Sequence, residues 1–243
     1  MKSTLCIWLS VLSLTAAAGL YNHAAARPVP EPIVIDGILE PAWFTRSDVY
    51  NLGSADGTIN NLIVEHYLTM LRLLYDRDYL YVSFVCSDDT PTATFTERDD
   101  PIYREDICEV IFLFPGSSEL LELSVSPTGV LYDAAVRWNA QNRRDIDTGR
   151  DIAGLKSAVR LVALPGSPGR SVWTVELAIP WKSLRGAPET PLRANFLRYK
   201  QLNNPELNRR FNVSGYLPQS LFPTGVRAWS SGPSGFRPLY ARP

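Results

Sequence analysis

The chain has 243 residues, of which 45% are hydrophobic and 20% charged, enough to enclose one sizeable core in a single domain. With 24 basic against 25 acidic side chains the formal net charge is −1, so no basic field is available to attract a phosphate backbone, and nucleic acid is not an expected partner. Two histidines leave almost nothing for Ser-His-Asp catalysis or for most zinc sites.

In chain order, the first feature is Lys2 followed by an apolar run from Leu5 to Leu14 and then small residues. That run is too short to cross a bilayer and has the form of a secretory leader over 1–26, with cleavage after Ala18 or Ala26. The expected location is secreted or periplasmic, with no membrane attachment after cleavage. Residues 27–243 then form the single mature domain, expected to be monomeric. Of the cysteines only Cys86 and Cys108 lie beyond the leader. In an oxidising compartment they are a disulfide candidate; otherwise they are two buried small residues.

From residue 62 onward, short runs rich in Val, Leu, Tyr and Phe are separated by Gly, Pro, Asp and Asn, which is strand patterning. Strands are expected over 66–75, 79–86, 107–114, 120–126, 130–138, 157–164, 172–179, 194–202, 209–216 and 226–230. Asp76-Arg77-Asp78 makes the sharpest hairpin turn. In the segment 172–179, Trp173, Val175, Leu177 and Ile179 share one face, which is assigned to the core, while Thr174 and Glu176 share the other. Short helices are expected only over 40–45 and 181–184. About ten strands without intervening helices predict an all-β antiparallel sandwich.

Five segments fall in a recognisable order: Ile35-Asp36-Gly37 leading to Trp43, Leu74-Tyr75-Asp76 with Tyr79-Leu80-Tyr81-Val82, Asp106-Ile107-Cys108-Glu109-Val110, Ser126-Pro127-Thr128-Gly129 leading to Tyr132-Asp133, and Ile179-Pro180-Trp181 leading to Leu184. Together they resemble the family 9 carbohydrate-binding modules and their DOMON-like relatives from about Ile33 to the C-terminus. The resemblance implies a non-catalytic domain that grips an oligo- or polysaccharide, associated with polysaccharide catabolism. Trp43 and Trp181 are read as core plugs rather than sugar platforms.

The same resemblance implies the site. Tyr103 stands six residues before Glu109, where family members place one aromatic wall of the cleft, and Glu109 matches the glutamate that hydrogen-bonds sugar hydroxyls. By strand alternation Glu109 lies opposite Cys108 and Val110 and so outside the core. The second wall falls near Trp229 and Phe236. The family arginine has no counterpart, since Glu122 occupies its place, leaving Arg137 or Arg198 as stand-ins. Structural calcium is the ion the family carries, and Asp88, Asp89, Asp99 and Asp100 are the candidates; a solvated acidic rim is the alternative. No other cofactor is required.

Three other classes bear on these residues. A glycoside hydrolase needs two carboxylates across a scissile bond. Asp106 and Glu109, three apart on a strand, point to opposite faces, whereas Glu122 or Asp133 could join Glu109 across the sheet. A haem domain would need His66 and Met70 on opposite sides of an iron, yet they are four apart on one strand face. A ligand-free extracellular interaction domain is the third alternative.

Overall fold

The computed structural model describes residues 24–54, 67–114, 117, 119–138, 144–188, 192–204, 209–215 and 237–241. The expected strand over 226–230, His66, Trp229 and Phe236 lie outside the described residues.

Two sheets face one another. The first runs β10 (Lys156–Ala163), β11 (Ser171–Pro180), β5 (Tyr79–Asp88), β4 (Thr69–Tyr75) and β1 (Ala24–Pro28), with β2 (Tyr50–Asn51) paired to β4. The second runs β14 (Arg237–Ala241), β12 (Leu192–Asn204), β6 (Ile107–Leu113), β7 (Leu120–Val125), β8 (Leu131–Trp138) and β9 (Arg144–Asp147). Along the later part of β12, β13 (Arg209–Gly215) replaces β14, and β3 (Gly53–Ser54) pairs with β13. The fold is therefore the all-β sandwich that the patterning predicts, with one departure from a purely antiparallel arrangement. Strand β1 pairs in parallel with both β14 and β4 and so joins the two sheets.

The core lies between the sheets and follows the alternation of the strands. Trp173, Val175, Leu177 and Ile179 are buried, as expected. They meet Phe84, Phe112, Val110 and Phe196 in one continuous apolar cluster, and the rings of Phe84 and Phe196 lie 6.5 Å apart across the sandwich. Cys86 on β5 and Cys108 on β6 also face each other there as free, buried thiols with sulfurs 3.5 Å apart.

The sequence motifs act as local braces. Asp76 Oδ1 accepts the backbone N–H groups of Asp78 and Tyr79, each at 2.7 Å, which closes the hairpin between β4 and β5. Trp181, in a 3-10 turn over Trp181–Leu184, donates from Nε1 to the carbonyl of Asp76 at 2.9 Å. Trp43, in helix α1 (Pro41–Thr45), donates to Glu176 Oε1 at 2.9 Å, while the Gly37 N–H donates to Glu176 Oε2 at 2.8 Å. Gly37 has φ +85, and a Cβ there would stand 2.9 Å from Arg160 Cβ; only glycine fits both constraints. Glu176, placed by alternation opposite the core, is thus fully buried as the anchor of the N-terminal motif.

Candidate functional site

In the second sheet, alternation assigns two distinct faces. Opposed residues in antiparallel strands share a face, so Glu109 stands with Ser124 and Tyr132, and Glu122 with Ala134. Tyr199 on β12 belongs to the same set, since its neighbour Leu197 lies opposite Glu109. Arg144 and Ile146 on β9 complete it. This face points away from the inter-sheet core. The 3-10 turn Ile102–Arg104 sets Tyr103 over its edge, and the Tyr103 ring meets Tyr132 edge-on at 5.8 Å.

The result is a pocket of about 240 Å³ lined by Tyr103, Glu109, Glu122, Tyr132, Arg144, Ile146 and Tyr199. Its floor is deep: Glu109 is 5% exposed, whereas Tyr103 at the rim is 48% exposed. Tyr103 and Glu109, the two residues the motif spacing singled out, are therefore brought together. Glu109 is outside the core, as alternation predicts, but it is buried all the same, because the walls rise around it.

The electrostatics of the floor are unbalanced. Ser124 Oγ donates to Glu109 Oε1 at 3.1 Å, while Glu109 Oε2 is buried without a hydrogen-bond partner among the described residues. Burial, and next the nearby Glu122 carboxylate, push the Glu109 pKa up to about 8; Ser124, Arg144 and Tyr199 offset part of this. Glu122 is also raised by burial, against the opposing charge of Arg144, with which it is paired. Arg144 reaches Glu122 across β8, where the residue opposite Glu122 is the small Ala134. The Tyr132 hydroxyl is raised to about 12 by burial and then by Glu122. Two carboxylates thus share one guanidinium.

Neither expected stand-in for the missing arginine enters this pocket. Arg137 pairs with Glu119, which Arg185 also holds. Arg198 points to the opposite face of β12 and is buried between the sheets, where it donates to Asp88 at 2.6 Å. The pocket's guanidinium is Arg144, from a strand that the hydrophobic pattern did not signal. Asp106 is likewise on the far side from Glu109, with Lys200 Nζ 2.9 Å from its Oδ2, so these two carboxylates cannot act on one ligand.

The four aspartates expected for calcium each have protein partners. Asp88 meets Arg198 and Lys200, Asp89 accepts the Tyr67 hydroxyl, Asp99 accepts the Asp133 N–H, and Asp100 accepts the Glu97 N–H. Among the described residues no group of three His, Cys, Asp or Glu side chains is placed to hold a metal ion. A larger cavity of about 410 Å³ lies at Phe114, Arg150, Lys182 and Arg185. Its buried carboxylate, Glu119, is already held by Arg137 and Arg185, so the smaller pocket is the one with unmet polar chemistry.

Comparison with solved structures places this architecture. A structure of a family 9 carbohydrate-binding module from Caldicellulosiruptor kristjanssonii in complex with cellotriose aligns over 91% of this chain and 95% of its own, with TM-score 0.56 and 17% identity. The chain has the fold of the family 9 carbohydrate-binding modules. A family 9 module from Caldicellulosiruptor kristjanssonii in complex with glucose aligns with TM-score 0.55 over 90% of this chain and 95% of its own, again at 17% identity. A protein from Bacteroides uniformis assigned to carbohydrate binding aligns with TM-score 0.66 over 90% of this chain and 99% of its own, at 12% identity. By sequence, the chain is 26% identical over 164 residues to endo-1,4-beta-xylanase A of Thermotoga maritima and 25% identical over 164 residues to that of Thermotoga neapolitana. The match covers 67% of this chain but only 13% of each xylanase. No family model matches the chain.

Proposed function

We propose that this protein is a non-catalytic carbohydrate-binding domain that holds one sugar ring between Tyr103 and Glu109. The observation that carries this reading is the Glu109 Oε2 atom, buried and unpartnered among the described residues, on a side chain that lines the floor of an aromatic pocket. Leaving such an atom unsatisfied costs about 1–3 kcal/mol, a cost a ligand hydroxyl would relieve. Tyr103, half exposed at the rim, offers a ring face to pyranose C–H groups. The volume, about 240 Å³, is below the ~300–1,000 Å³ of drug-sized clefts and suits a single ring, such as the end of a chain. Cellotriose and glucose in the Caldicellulosiruptor complexes, and the xylanases matched over part of their length, support a role in polysaccharide catabolism.

Hydrolysis is less well supported. Glycosidase carboxylates flank the scissile bond, whereas Glu109 and Glu122 rise from adjacent strands on one floor and would meet a bound ring from the same side. Titration calorimetry with glucose, cellotriose, xylo-oligosaccharides and hexosamines tests the proposal. Saturable binding to at least one of these, weakened about tenfold or more in Tyr103→Ala, is expected. Absence of binding to every saccharide, or binding unaffected by both Tyr103→Ala and Glu109→Gln, would refute it.

Export belongs to the same proposal, with the leader removed after Ala18. Cleavage after Ala26 would remove Ala24, Ala25 and Ala26, buried residues that pair with Leu239, Tyr240 and Ala241. N-terminal sequencing of the exported protein should begin at Gly19; a start at Arg27 would contradict this. In that compartment a thiol oxidant would take two hydrogens from Cys86 and Cys108 and leave a disulfide. Closing a loop of this span, with the cysteines 22 positions apart, contributes roughly 3 kcal/mol. Mass measurement without reductant would detect it.

A further inference from the structure

The ingredients of the pocket floor are unusual for a neutral sugar. Two buried carboxylates, Glu109 and Glu122, face one guanidinium, Arg144, and no other charged side chain among the described residues lines the cavity. With both carboxylates ionised, the floor carries a formal charge of −1. Around it stand three tyrosines: Tyr103 at the rim, Tyr132 meeting it edge-on, and Tyr199 on the neighbouring strand. Carboxylates in a pocket walled by tyrosines favour an organic ammonium, through charge pairing and, where a ring turns its face to the cation, through attraction to that face. A carboxylated sugar would oppose the ionisation of Glu109. A neutral sugar could hydrogen-bond to Glu109 but would supply no cation to favour its ionised form.

We propose that the pocket selects an amino sugar with a free amine, such as a terminal glucosamine, whose ammonium sits at Glu109 Oε2. This inference rests on the carbohydrate-binding reading of the same pocket and names its ligand class. The mechanism has a proton consequence. Without ligand, Glu109 holds a proton at neutral pH, because burial and the neighbouring Glu122 raise its pKa to about 8 while Arg144 and Ser124 oppose the shift only in part. An arriving ammonium would stabilise the ionised carboxylate, so Glu109 would release its proton to the buffer as the ligand, still protonated, binds. Binding of a neutral sugar would require no such release.

Calorimetric titration at pH 7 with glucosamine, N-acetylglucosamine, glucose and cellotriose, repeated in two buffers of different ionisation enthalpy, reads both consequences. Glucosamine is expected to bind about tenfold or more tighter than glucose or N-acetylglucosamine, with buffer-dependent heats that reveal proton release. In Glu109→Gln that preference should fall to within about twofold, with the melting transition of the variant showing that it is folded. Glu122→Gln should also weaken glucosamine selectively, since it leaves the Arg144 charge facing Glu109 alone of the two carboxylates. Equal or tighter binding of glucose or cellotriose would overturn the amino-sugar assignment while leaving the carbohydrate-binding proposal standing. A glucosamine preference undiminished in both variants would also overturn it. Failure to bind any saccharide would remove both readings.

Discussion

Strand β12 separates two buried charge clusters that use similar residues to opposite effect. On its inner side Arg198 and Lys200 meet Asp88 and Asp106: Arg198 donates to Asp88 at 2.6 Å, and Lys200 lies 3.0 Å from Asp88 and 2.9 Å from Asp106. Arg198 also donates to the carbonyls of Tyr67 and Ser87 and to Thr69 Oγ1. Two cations face two carboxylates, and the cluster is closed between the sheets. On the outer side Glu122 pairs with Arg144, while Glu109 beside it keeps one carboxylate oxygen without a partner among the described residues. Buried charge is tolerated in the protein interior when it is paired and hydrogen-bonded. Each cluster keeps one buried polar atom unpartnered among the described residues, Arg198 Nε inside and Glu109 Oε2 outside, but only the outer one lines a pocket, so the inner cluster reads as structural.

This contrast is easiest to break from the inside. Arg198→Ala would leave Asp88 buried with Lys200 alone, and the loss of one partner from a buried pair costs about 3–5 kcal/mol. Denaturant unfolding should show that loss. A change below about 1 kcal/mol would mean that the inner cluster is not structural.

A smaller effect, of opposite sign, is expected at Glu109. Its folded pKa is raised to about 8, against ~4.3 in an unfolded chain. Between those values the folded protein holds a proton that the unfolded chain has released, so this group's contribution is full below about pH 4.3 and is lost as pH rises toward 8. Glu109→Gln removes that penalty. The variant should melt a few degrees above wild type at pH 8, with the gap closing toward pH 4, by thermal scans across that range. Destabilisation at pH 8 would mean that Glu109 is well satisfied in the unliganded protein.

Tyr103→Ala should have the smallest effect on stability, about 1 kcal/mol or less, since the side chain is half exposed and its ring contact in the structure is the edge-on one with Tyr132. Its effect on sugar binding should nonetheless be large, which separates a recognition residue from a structural one.

Most of the fold was legible in the sequence because each interior strand has apolar residues where burial needs them. The alternation in β11 gave the core face directly, and the Asp76 turn fixed the hairpin between β4 and β5. Motif spacing likewise joined Tyr103 to Glu109, which the structure places in one pocket. What escaped was carried by segments without a hydrophobic signal. Strand β9 is Arg144-Asp145-Ile146-Asp147 at a sheet edge, so it carries no hydrophobic strand signature that would point to Arg144. Strand β1 is Ala-Ala-Ala-Arg-Pro, which resembles a leader cleavage region more than a paired strand. Arg198 and Arg137 were candidates by residue type, but only pairing register shows that Arg198 points inward and that Arg137 belongs to Glu119. Long-range register decides which side chains converge, and short-range pattern does not contain it.

The most direct test of the central claim is a crystal structure of the protein soaked with glucosamine, and in parallel with glucose. The account predicts a sugar ring against Tyr103, with a hydroxyl or amino group within hydrogen-bond distance of Glu109 Oε2. A saccharide bound elsewhere while that oxygen stays unpartnered would contradict it.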